Sequence, residues 1–119
     1  MSKENYIAEV NNHITEGAEV SFEELKFQIT KDLQLAGIPY LPDDTDNLQE
    51  LITWTASLCL HLIEKEFQTY MNLLYRIDVP AERFMKMNEE NLEYNSNEIA
   101  ALLLLKREIQ KIRLRKQYS

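Results

Sequence analysis

The chain has 119 residues, within the ~100–150 common for a single hydrophobic core, and carries 45% apolar and 28% charged residues at a net charge of −7. With only two Gly and three Pro, that balance excludes sustained disorder and predicts one folded domain over residues 1–119. No apolar run approaches the ~20 residues of a membrane span, and the start "MSKENYIAEV" is too polar for the apolar core of a secretory signal, so the expected location is cytoplasmic.

Helical periodicity runs through the chain, and no segment reads as a strand. Tyr6, Ile7, Val10 and Ile14 fall at helical spacing and predict a first helix that Gly17 would end. In "SFEELKFQITKDLQLAGIP", Ser21 and Glu24 have the spacing of a reciprocal capping box, and Phe22, Leu25, Ile29, Leu33 and Ala36 continue one face. Gly37 and Pro39 stop that second helix.

After the connector "IPYLPDDTD", Thr45 or Asp46 is the expected cap of a long run from Asn47 to about Ile77 that contains neither Gly nor Pro. Unbroken, it would extend on the order of 45 Å at 1.5 Å per residue, longer than a domain of this size needs. Either it bends near "EKEFQ" or part of it projects into a partner. A short segment "PAERFMKM" follows, with Pro80 in its first turn and Asp78 placed to cap it, and then the polar loop "NEENLEYNSN". Asn95 and Glu98 form a second capping pair, opening a terminal helix over about 96–116. The expected fold is all-α, a small bundle of four to five helices around the long helix at about 47–77.

Catalytic vocabulary is sparse. There is no Gly-rich phosphate loop, no G-x-S-x-G, no H-E-x-x-H and no Cys-x-x-Cys. Cys59 and His61 stand two apart on a helix, so their side chains point about 200° apart and cannot work as nucleophile and base. Cys59 itself reads as a buried small hydrophobe. His61 with Glu64, joined by His13 with Glu16, is the one imaginable metal set, but a di-iron bundle needs Glu-x-x-His from two helices and further glutamates. Asp43, Asp44 and Asp46 lack the glycine of a calcium loop and read instead as carboxylates at a helix start. No cofactor or metal is therefore expected, nor a catalytic residue.

The informative asymmetry is in charge. Residues 1–105 carry seven basic and nineteen acidic side chains, whereas residues 106–119 carry six basic and one acidic. On the last helix Leu102, Leu105, Ile109 and Ile112 form an apolar seam, and Arg107, Lys111 and Arg115 form a basic row at i, i+4 and i+8. The seam is the candidate interface and the row the candidate electrostatic surface. Basic residues there also suit the negative end of a helix and offset an acidic body. The expected function is protein–protein interaction or a structural role, with self-association into a homo-oligomer and no enzymatic activity. A nucleic-acid-associated accessory protein using the basic end is the alternative, and a metal-binding helical-bundle enzyme stands third.

Overall fold

The computed structural model describes residues 20–79 and 95–118. These form four helices and no strand: α1 (Phe22–Leu35), α2 (Leu48–Lys65), α3 (Phe67–Ile77) and α4 (Ser96–Gln117). The chain is all-α, as its periodicity predicts. The helix expected around Tyr6–Ile14, the segment beginning at Pro80 and the polar loop after it lie outside the described residues.

Local chemistry sets both ends of α1. Ser21 Oγ accepts from the Glu24 N–H at 3.1 Å, and Glu24 Oε1 accepts from the Ser21 N–H at 3.0 Å. Each carboxylate or hydroxyl thereby satisfies a helix-end donor that the helix itself cannot. At the other end Gly37 takes φ +79°, the Ile38 N–H donates to the Leu33 carbonyl at 2.9 Å, and the Gly37 N–H donates to that of Gln34 at 3.1 Å. Ile38 is buried beyond this left-handed stop, so the stop also anchors the connector to the core.

The cap of α2 is Asn47, one residue beyond the expected Asp46 or Thr45. Its side-chain oxygen accepts from the Glu50 N–H at 2.9 Å, while the Glu50 carboxylate reaches back to the Asp46 N–H at 2.9 Å. Thr45 instead closes the preceding turn, its hydroxyl donating to the Pro42 carbonyl at 2.7 Å. Lys26 of α1 pins that turn from outside through the carbonyls of Asp43 and Thr45.

The 47–77 run bends, as one of its two expected outcomes required. Glu66, at φ −143° and ψ 61°, separates α2 from α3. The break returns Tyr70, Leu73 and Ile77 to the core, which a straight continuation would carry away from it. Asp78 ends α3 in the left-handed region at φ +68°, and the following segment that it is expected to cap lies outside the described residues.

One core joins all four helices. Leu25, Ile29 and Leu33 enter it from α1, Leu51, Leu58 and Leu62 from α2, and Leu73 and Ile77 from α3. α4 is the most enclosed element: Ala100 through Leu105 are all buried, so its first half is surrounded, and it packs against α1, α2 and α3. A helix apolar on every side belongs at the centre of a bundle.

Candidate functional site

The structure places the two predicted features of α4 very differently from a free surface. Leu102, Leu105, Ile109 and Ile112 are buried within this chain, Leu105 completely. They are core positions, because the seam faces the other three helices.

The basic row is brought together as expected, but it points at acceptors of the same molecule. Arg107 donates to the Asp78 carbonyl at 3.2 Å and to its carboxylate at 3.3 Å. Lys111 Nζ lies 3.0 Å from Asp32 Oδ2, and Arg115 donates to Gln28 Oε1. Lys116 adds a contact to Glu24 at 2.6 Å. The cationic end of α4 thus fastens it to α1 and to the end of α3.

At the centre of this fastening lie two buried carboxyls that periodicity alone did not single out. Asp32 is only 3% exposed at its side chain and receives Lys111, Gln28 Nε2 at 3.1 Å and Arg76 Nε of α3 at 3.4 Å. Glu108, on α4 one turn before Lys111, is 0% exposed. Lys111 Nζ stands 3.3 Å from Glu108 Oε1, yet neither Glu108 oxygen meets a hydrogen-bond donor among the described residues.

The two carboxyls titrate in opposite directions. Burial, then the neighbouring Asp32 carboxyl, push Glu108 up to about 9, against the smaller pull of Lys111. For Asp32, burial works upward too, but the neighbouring Glu108, the hydrogen bonds from Lys111 and Gln28 and the Lys111 charge outweigh it, holding the carboxyl below its ordinary value. At neutral pH Glu108 therefore holds a proton beside an ionised Asp32. Two like charges in one dry site are avoided in this way.

The remaining sequence candidates are dispersed. His61 pairs with Glu66 at 3.0 Å across the helix break, not with Glu64, and His13 and Glu16 lie outside the described residues. Among the described residues no group of three or more His, Cys, Asp or Glu could hold a metal ion. Cys59 is buried, and burial pushes its thiol up to about 12, so it is not a thiolate at neutral pH.

An exposed apolar row lies on α3, the far half of the 47–77 run. Phe67, Met71 and Tyr75 follow one another at i, i+4 and i+8, and are 58%, 44% and 89% exposed. Gln68 and Asn72 run beside them, linked by a 3.0 Å hydrogen bond. Of the eleven α3 residues only Arg76 is charged, and it is engaged with Asp32. No described helix is long and apolar enough to cross a membrane. Compared with protein-family models, curated proteins and solved structures, the chain matches none.

Proposed function

We propose that the chain is a protein-association module that pairs with a second copy of itself through α3. The observation that carries this reading is the exposed row Phe67, Met71 and Tyr75. Aromatic and Met side chains are enriched in interface centres, from which charged residues are depleted.

Charge supports a second copy as the occupant. Two chains of net charge −7 repel unless they meet where neither presents an acid. Between its ends the α3 face meets that condition, with Gln68 and Asn72 at its side and Arg76 turned to its own Asp32, while the acids that flank it, Glu66 and Asp78, are paired with His61 and Arg107. In an isologous pair α3 would lie antiparallel to its symmetry mate, Phe67 against Tyr75 and Met71 near the axis. Three side chains supply less than the ~800 Å² per partner of a standard interface, so the pairing is weak and depends on concentration.

Sedimentation velocity over two decades of concentration tests this. The wild-type mass should rise toward a dimer, while Tyr75→Asp and Met71→Asp should stay monomeric with unchanged helical circular dichroism. A wild-type monomer throughout, or association that both variants retain, overturns the reading. Nucleic acid binding has less support, because Arg107, Lys111 and Arg115 all bond to groups of this chain.

A further inference from the structure

We propose that Tyr40, Trp54 and His61 form a recognition pocket for a small methylated ammonium group. The site is separate from the α3 face, and neither depends on the other. It is built by one face of α2, where Trp54, Ser57, Leu58 and His61 follow at i, i+3, i+4 and i+7, and by Tyr40 on the connector before α2. Together they line an open cavity of about 260 Å³. That volume lies just below the ~300–1,000 Å³ of most small-molecule sites and suits a head group more than a cofactor.

The walls are positioned by contacts of their own. The Tyr40 and His61 rings sit 5.4 Å apart at 84°, which makes an aromatic corner. Glu66 holds the His61 ring through the 3.0 Å contact to Nε2. Trp54 forms another wall and Leu58, itself buried, adds an apolar one. Pro39 immediately precedes Tyr40, and the Thr45–Pro42 hydrogen bond closes the turn after it, so the connector has little freedom to withdraw the ring.

Two properties select the ligand class. Aromatic faces carry negative quadrupoles that attract a cation within about 6 Å. The connector that brings Tyr40 also carries Asp43, Asp44 and Asp46 against one cation, Lys26 of α1, that touches it, in a chain already acidic overall, so the net charge around it favours a positive ligand. Ser57 and the ring heteroatoms are the few polar groups on the walls, which leaves a primary ammonium with unmet hydrogen-bond donors. A methylated ammonium needs no acceptors and loses less hydration on entry.

Trp54 is the chain's sole tryptophan, so its fluorescence reports on the pocket directly. The full chain is titrated with choline chloride against sodium chloride at matched ionic strength, and with 3,3-dimethylbutan-1-ol, the neutral isostere of choline. The expected result is a saturable change with choline, with an affinity about two- to thirtyfold above that for the neutral isostere. Tyr40→Phe should keep that preference, and Tyr40→Leu, at an exposed position that should not disturb the fold, should lose it. No saturation, equal affinity for the neutral isostere, or a preference unchanged by Tyr40→Leu would each overturn the proposal.

Discussion

Asp32 of α1 and Lys111 of α4 stand 79 residues apart in sequence and meet at 3.0 Å. The contact explains why an acidic chain carries a basic terminal helix: the cations complete ion pairs and hydrogen bonds on α1 and α3. Lys111→Met keeps the aliphatic stem and removes the ammonium, leaving Asp32 with Arg76 and Gln28. Breaking a fully buried pair costs ~3–5 kcal/mol, but the Lys111 side chain is partly exposed and a second cation remains, so about 1–3 kcal/mol is expected. Lys116→Met, which removes the more exposed contact to Glu24, should cost less than about 1 kcal/mol. Urea unfolding of both variants checks the order, and equal losses would refute a special role for the buried pair.

Glu108 makes stability depend on pH in an unusual direction. Its folded value of about 9 exceeds its ordinary 4.5, so between those values the folded chain binds a proton that the unfolded chain has released. Raising pH through this window therefore favours unfolding. Asp32 acts oppositely: its folded value is depressed, so its contribution is present above the ordinary 3.8 and is lost as pH falls through the lower folded value. The pair places the stability maximum in mildly acidic solution. Thermal melts of the wild type should show a melting temperature that falls from about pH 5 toward pH 9. Glu108→Gln, a neutral side chain of the same shape, should flatten that decline, and a wild type whose pH profile matches the variant's would show that Glu108 carries no buried proton.

Features set by near neighbours were legible in the sequence. Ser21, Glu24 and Gly37 act within a turn or two of themselves, so their spacing alone identifies the ends of α1. Glu66 gave no local signal, being neither Gly nor Pro; only the excess length of the 47–77 run announced the break. The apolar seam of α4 was equally readable, but burial against this chain and burial against another demand the same side chains. The acceptors of Lys111 and Arg115 were not readable, because sequence spacing does not report contacts across 79 or 87 residues. A signal for the buried pair did exist. Asp32 follows Leu25 and Gln28 at i+7 and i+4, and Glu108 lies between Leu105 and Ile112 at i+3 and i−4, so both acids sit on otherwise buried stripes.

Leu105 distinguishes core from interface with one substitution. Its side chain is wholly buried among helices of its own chain, so Leu105→Ala should cost about 2–5 kcal/mol through lost contacts and the cavity left behind. Leu105→Asp would place a carboxylate in the same site without a counter-ion and should abolish helical circular dichroism. A folded Leu105→Asp chain would mean that the seam is solvent-accessible.

Gly37 and Asp78 both hold left-handed backbone, at φ +79° and +68°, and the same physics predicts unequal responses to substitution. Beyond its two chain neighbours, no heavy atom lies within 4 Å of a Cβ built on Gly37, so Gly37→Ala tests conformation and should cost about 1–2 kcal/mol. Asp78→Gly removes the corresponding strain at its own site, but the added freedom of the unfolded chain returns roughly 0.4–1 kcal/mol of that gain. The variant also loses the carboxylate contact of Arg107, made by an exposed side chain and worth at most about 1 kcal/mol, while the Arg107 bond to the main-chain carbonyl of residue 78 survives. Chemical denaturation should therefore place Asp78→Gly within about 0.5 kcal/mol of the wild type, inside the sum of those opposing effects. A loss as large as that of Gly37→Ala would show that the Asp78 carboxylate holds α3 to α4 more strongly than its exposure implies.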